Sequence, residues 1–264
     1  MSARLDAELA ARGLARSRTH AASLISDGSV RVDGRTAAKP AQRVDPTSDI
    51  RIDGGDHYVS RGAHKLIAAL DGFGIDAADR VALDMGASTG GFTQVLRERG
   101  ARTVIAVDVG HDQLAAAVAA DDGVRAVEGY NVRRMTPESL AESSGVGERP
   151  TLITGDLSFI SLRHVLPAVA EALPKRADRD VVLLVKPQFE VGRTGIREGI
   201  VVEPELRVAA VRDVIDAAAS LGLGTRGVLP SPIRGAHGNR EILLHLAPGV
   251  APRDWTDEID AAAR

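Results

Sequence analysis

Hydrophobic and polar positions along this chain follow two different rhythms, with the change falling between residues 53 and 60. Before it, Leu5, Leu9 and Leu14 recur at helical spacing in RLDAELAARGLA, and Gly13 supplies a natural helix C-cap. Ser17 is placed to cap a second helical pattern, RTHAASLIS, which ends near Gly28. VRVDGRTA then reads as strand, Asp-Gly turn and strand, the composition of a tight hairpin. After the change, seven runs read as strands: VALDM, TVIAVDV, VRAVEG, TLITGDL, VVLLVK, TRGVLP and REILLHL. Helical patterns separate them, which predicts βαβ units and a mostly parallel, seven-stranded Rossmann-like sheet. The last two strands are expected as a hairpin at its edge, and WTDEIDAAAR as a short acidic helix docked on the surface. The expected organisation is a small α+β domain over 1–52, a linker over 53–60 containing DGGDHY, a large α/β domain over 61–249 and a tail over 250–264.

Composition narrows the classes. The 264 residues are 44% hydrophobic and 26% charged, an ordinary globular balance able to build a sizeable core. There is no cysteine, so disulfides, thiolate metal sites and cysteine nucleophiles are excluded, in keeping with a reducing cytoplasm; no metal site is expected. Met1 to Arg18 is charged throughout and does not read as a signal peptide. Apolar runs stay as short as Val181 to Val185, far below the ~20 residues that span a bilayer, so no membrane partner is expected. The formal net charge of −3 hides an uneven distribution. Through Arg43, eight bases (Arg4, Arg12, Arg16, Arg18, Arg31, Arg35, Lys39, Arg43) face Asp6, Glu8, Asp27 and Asp33. That excess is either a solvated face or a footprint for a polyanion.

The chemistry starts from VVLLVKPQFE. A run buried on both faces ends on Lys186, and Pro187 fixes the stop. In open α/β sheets the carboxyl ends of the strands are where ligands bind. The first strand of the large domain runs into LDMGASTGGFT, with spacing Gly86-x-x-x-Gly90-Gly91. This is neither the dinucleotide fingerprint nor a phosphate loop, since Phe92 stands where the latter needs Lys, and no basic residue lies between Asp84 and Gln94. Asp108, 22 residues beyond Gly86, is suited to ribose hydroxyls, and Asp84, in the turn before the loop, to a cationic or amino-bearing ligand. Together they suit S-adenosyl-L-methionine.

The acceptor follows by elimination. The fourth strand ends in Asp156-Leu157-Ser158-Phe159, without the prolines of amino-group methylation of bases, and no cysteine serves carbon-5 chemistry. A hydroxyl remains. Lys186 is the expected general base, with Asp156 orienting it, Lys65 pressing on its charge and Glu241 aligning the acceptor. Each also has an ordinary explanation: Lys65 as a surface lysine beside Ala63, Leu66, Ile67 and Leu70, Glu241 as a solvated charge, Asp156 as a turn cap. Lys186 is hardest to explain away, because an unpaired ammonium at a buried strand end costs several kcal/mol.

SRGAHKL, DMGASTGGFT, DVGHDQL, DLSFISL, VKPQFE and GNRE, in this order, closely resemble the TlyA family, and RLDAELAARGLARSR…GSVRVDG…KP resembles its S4 part. Coverage runs from Arg4 to Leu246. The resemblance implies an S4-type RNA-binding domain followed by an FtsJ-like class I S-adenosylmethionine-dependent methyltransferase domain. It implies cytidine 2′-O-methylation of ribosomal RNA, 23S and in some members 16S, by a cytoplasmic protein that we expect to be a monomer. The family's Lys-Asp-Lys-Glu tetrad carries over to Lys65, Asp156, Lys186 and Glu241. Its cofactor pocket carries over to Gly86, Ala87, Ser88, Thr89, Gly90, Gly91, Phe92, Thr93, Asp108, Val109 and Asn131, with Asp84 and Asp156 beside them. Phe159 matches an aromatic that stacks on a flipped base. Arg4, Arg16, Arg18, Lys39 and Arg133 match RNA-contacting positions. Two features depart from the family: His237 stands where a small residue precedes Gly238-Asn239, and the chain begins MSARLD without the longer basic start of some members.

Two other readings belong to different classes. A non-catalytic RNA-binding or ribosome-assembly factor would not need an intact glycine loop and all four polar positions. A haemolysin would need an insertable segment, and neither a long apolar run nor a basic amphipathic helix of adequate length is visible.

Overall fold

The computed structural model describes residues 2–264 except 16, 17, 27, 29, 38, 53–56, 176, 177, 193, 194, 236 and 237. It divides into two compact units, Met1–His57 and Tyr58–Arg264. In the first, β1 (Ala3–Arg4) leads into α1 (Leu5–Ala11), and α2 (Arg18–Ser26) follows. Strands β2 (Val30–Val32), β3 (Arg35–Thr36), β4 (Arg43–Val44) and β5 (Ile50–Ile52) complete it. β2 is central in a three-stranded antiparallel sheet, β3-β2-β5, while β1 pairs with β4. The expected hairpin is present: Val32 faces Arg35, and Asp33 and Gly34 both take positive φ, at 49° and 79°. Leu5, Leu9, Ile25, Val30 and Val44 form the core of this unit. Ser17 lies outside the described residues, as do Asp27 and most of the DGGDHY segment.

The second unit opens with α3 (Gly62–Phe73), which Gly74 ends in the left-handed conformation at φ 66°. There follow β6 (Val81–Met85), α4 (Gly91–Glu98), β7 (Thr103–Val107), α5 (Ala116–Ala119), β8 (Val124–Val127), α6 (Pro137–Ser144), β9 (Leu152–Gly155) and α7 (Leu166–Ala172). The chain ends with β10 (Asp180–Val185), α8 (Pro187–Glu190), α9 (Pro204–Ser220), β11 (Leu223–Pro230), β12 (Ile242–Pro248) and α10 (Thr256–Ala263). Seven strands form one sheet in the order β11-β12-β10-β9-β6-β7-β8, all pointing the same way except β12, which runs antiparallel to both of its neighbours. Alternation along each strand sorts the core into two layers. Val81, Leu83, Met85, Val181, Leu183 and Val185 face α7, α9 and α10; Ala82, Val182 and Leu184 face α3 and α4.

The expected edge hairpin is present: β11 and β12 pair antiparallel at one end of the sheet, with β11 outermost and β12 between it and β10. The carboxyl-terminal helix docks by one face, as expected: Ile259, Ala262 and Ala263 are buried in the main core, Asp257 and Ala261 stay exposed, and buried Arg207 donates to the Ala263 carbonyl. Its apolar stripe is short, but α9 and β11 supply the surface it covers.

Candidate active site

The topology explains where polar groups gather. From β6 the chain travels outward through β7 and β8, then returns to β9 on the other side of β6. The loops leaving β6 and β9 therefore part at their carboxyl ends and open a crevice. Asp156 follows β9 directly, and Lys186 follows β10 directly as the residue preceding α8, whose first position is Pro187. Because β12 runs antiparallel, with Ile242 opposite Val185, its starting end lies where the parallel strands finish. Glu241 is thereby delivered beside Lys186. Lys65 reaches the same place from the first turn of α3.

These four side chains form one connected cluster. Lys186 Nζ lies 2.7 Å from Asp156 Oδ1 and donates to Ser158 Oγ at 2.9 Å. Lys65 Nζ lies 3.1 Å from Asp156 Oδ2 and 2.7 Å from Glu241 Oε2. Both lysines are 8% exposed and Glu241 is 4% exposed, so none is a solvated surface charge. Two ammonium and two carboxylate groups balance, which is what burial demands. Burial opposes the Lys65 charge, yet Asp156 and Glu241 outweigh it and hold the ammonium above its ordinary value. Burial likewise pushes the Asp156 carboxyl up, and Lys65 and Lys186 together overcome it and hold it below the usual range. This revises one expectation: Lys65 does not simply press on Lys186, because Asp156 stands between the two ammonium groups.

The glycine loop lies at the other lip of the crevice. Gly86 and Gly90 adopt φ of 78° and 96°. A Cβ on Gly86 would meet the Asp156 carbonyl oxygen at 3.1 Å, and one on Gly90 would meet Leu114 at 2.8 Å. Asp108 shapes the loop: its carboxylate accepts the Ser88 N–H and the Gly110 N–H, each at 2.8 Å. Val109 is exposed, and Asn131 lies nearby, since Tyr130 N–H donates to the Asp108 carbonyl. Ala87, Phe92 and Thr93 are buried, and Thr89 reaches toward the Val59 carbonyl. Asp84 departs from expectation. It lies inside β6 rather than in the turn, 1% exposed, and accepts hydroxyl hydrogens from Thr93 at 2.7 Å and Thr154 at 3.3 Å. Its parity with Ala82 aims it into the α3/α4 layer, and burial pushes its carboxyl up to about 7.

Sequence reasoning missed two groups. Ser158 is one; it sits inside the quoted DLSF stretch, but nothing in the local pattern showed that it would touch Lys186. Glu190 is the other. Its buried carboxylate accepts Ser161 Oγ–H at 2.5 Å and Leu162 N–H at 2.8 Å, tying the loop after β9 to α8. On that loop Phe159 is 91% exposed at φ 64°, with its ring 5.3 Å from that of Phe189. A bulky residue held left-handed is a strained position, costing on the order of 1–3 kcal/mol. The clamp at Glu190 offsets that strain.

The expected RNA-contacting residues fall on both units, Arg4, Arg18 and Lys39 on the first and Arg133 on the second. Arg4 and Arg18 are exposed and share Asp6, at 2.9 and 3.3 Å, while Lys39 and Arg133 are exposed. Arg16 and His237 lie outside the described residues.

A seven-stranded sheet with one inserted antiparallel strand, a glycine turn after its first strand and polar groups at the switch point define a methyltransferase of the S-adenosylmethionine-dependent class. The chain belongs to the FtsJ-like methyltransferase family, whose model matches residues 58–247, and an S4 domain model matches residues 3–50. It is 49% identical over 247 residues to the 16S/23S rRNA (cytidine-2′-O)-methyltransferase TlyA of Mycobacterium tuberculosis, covering 92% of this chain and 89% of that protein. It is 35% identical to Hemolysin A of Brachyspira hyodysenteriae, covering 92% of this chain and 99% of the relative. A solved structure from Streptococcus thermophilus, provisionally named a hemolysin, superposes with a TM-score of 0.79 at 38% identity, covering 99% of this chain and 94% of that one.

Proposed function

We propose that this methyltransferase transfers a methyl group from S-adenosyl-L-methionine to the 2′-oxygen of a cytidine in ribosomal RNA, in the cytoplasm. The observation that carries the reading is Lys186, an amine at the end of a fully buried strand, held by Asp156 at 2.7 Å beside the glycine loop. The donor fits the residues present: the loop approaches closely at Gly86 and Gly90, offers no basic side chain to a phosphate, and ends near Asp108. When bound, S-adenosylmethionine supplies a methyl group on a positively charged sulfur. Lys65, kept cationic, fixes Asp156 and Glu241, and Asp156 in turn aims Lys186. Lys186 takes the proton of the 2′-hydroxyl as that oxygen attacks, and Glu241 helps align the acceptor. Phe159, extended from a clamped loop, stacks on the displaced base, and the S4 unit holds phosphates through Arg4, Arg18 and Lys39. The substrate follows the relative from Mycobacterium tuberculosis, whose name covers both 16S and 23S rRNA.

The test is Lys186→Ala. Affinity for S-adenosylmethionine, measured by calorimetry, is expected to stay within twofold of wild type, while methyl transfer to ribosomal RNA falls by roughly 10²-fold or more. Full transfer by the variant overturns the assignment. Some relatives carry a hemolysin name; no helix among the described residues of this chain is long and apolar enough to cross a membrane.

A further inference from the structure

We propose that Ser158 is a catalytic residue that carries the proton from Lys186 to solvent. The inference rests on the 2′-O-methylation reading and adds to it a residue and a route.

Lys186 Nζ has two polar partners among the described residues, Asp156 Oδ1 at 2.7 Å and Ser158 Oγ at 2.9 Å. A neutral amine has two N–H groups and one lone pair. One N–H is donated to Ser158 and the ion pair with Asp156 occupies a second side of the nitrogen, so the lone pair is left for the acceptor hydroxyl. Methyl transfer makes an O–CH3 bond, breaks the S–CH3 bond with its electron pair passing to sulfur, and moves the hydroxyl proton onto Nζ. The resulting ammonium must shed a proton before the next turnover. Two neighbours can accept it. Asp156 is a poor carrier, because two ammonium groups hold its carboxyl below the usual range. Ser158 is exposed, and its hydroxyl already accepts an N–H of Lys186. It takes the hydrogen pointed at it while releasing its own hydroxyl hydrogen to water, so Lys186 need not rotate.

The same route readies the site. The four charged side chains balance before the donor arrives, and a sulfonium brings one extra positive charge into a largely buried cluster. Loss of one ammonium proton restores the balance, and Ser158 is the exposed exit. Its loop is held in place: Glu190 accepts from Ser161 Oγ at 2.5 Å and from Leu162 N–H at 2.8 Å, three and four residues beyond Ser158.

The chain contains four lysines (Lys39, Lys65, Lys175, Lys186), so protein labelled with nitrogen-15 at lysine Nζ has few signals to assign. Exchange of the Lys186 Nζ hydrogens with water is compared in wild type, Ser158→Ala and Ser158→Thr, alongside multiple-turnover methyl transfer to ribosomal RNA over a range of RNA concentrations. Ser158→Ala is expected to slow both the exchange and the transfer by roughly tenfold, with S-adenosylmethionine affinity and RNA KM unchanged, and Ser158→Thr to restore both. Unchanged exchange in Ser158→Ala overturns the relay, as does slowed exchange with transfer at the wild-type rate. A raised RNA KM with normal exchange makes Ser158 a substrate contact instead, which also overturns it. Failure of the wild-type protein to methylate ribosomal RNA sinks the functional reading separately, since the exchange measurement does not depend on it.

Discussion

Single residues decide how charge is carried into this fold. Asp84 is the clearest case away from the reacting atoms, because its carboxyl is fully enclosed and pushed up to about 7 by burial. A carboxyl whose pKa is higher folded than unfolded binds a proton on folding throughout the interval between the two values. Its contribution to stability is therefore present below about 4, declines as pH rises toward 7, and stays lost above that. Asp84→Asn keeps the shape and removes the titration. Its melting temperature relative to wild type is expected to rise between about pH 4 and about pH 7 and to level off above that; parallel curves across that range would contradict the assignment. Asp84 also shows what a linear reading misses. Its position before the glycines was plain in LDMGASTGGFT, but whether it met ligand or Thr93 and Thr154 depended on which face of β6 it occupied.

At the scale of elements, turns matter more than the helices and strands they join. Gly86 is required twice over, by φ 78° and by the Asp156 carbonyl 3.1 Å from where a Cβ would sit. Gly86→Ala is expected to cost on the order of 1–2 kcal/mol of backbone strain alone and to move the loop off Asp156. Calorimetry should show S-adenosylmethionine binding weakened by roughly tenfold or more, with the circular dichroism of the fold retained. Unaltered affinity would mean that the donor does not approach this turn. The strands were legible from their apolar runs, and the Asp33-Gly34 hairpin from two residues that tolerate positive φ. The insertion of β12 was not, because REILLHL reads the same whether it joins β10 or flanks it. That insertion is what brings Glu241 to Lys65.

For the whole molecule, the proposed function has the S4 unit dock RNA while the methyltransferase unit does the chemistry. Arg4 and Arg18 both lean on Asp6, whose carboxyl the Arg4 guanidinium holds down at about 2. This shared anchor sets two guanidinium groups side by side before any phosphate arrives. Arg18→Ala is expected to weaken RNA binding while leaving S-adenosylmethionine affinity unchanged. The slope of log K against log salt should become shallower by roughly 0.7–0.9, the effect of one lost phosphate contact. A slope equal to wild type, measured by filter binding over a salt series, would remove Arg18 from the interface.

Taken alone, the sequence determined the periodicity of both units, the turn at each essential glycine and the presence of Lys186 at a buried strand end. All of these are local, because backbone preference and hydrophobic alternation act over a few residues. Tertiary structure decided that Lys65 is enclosed rather than solvated, that Asp156 stands between two ammonium groups, that Asp84 faces inward and that Ser158 touches Lys186. Those facts belong to residues tens of positions apart, whose meeting is set by strand order and register, and neither quantity is written in any short stretch of the chain.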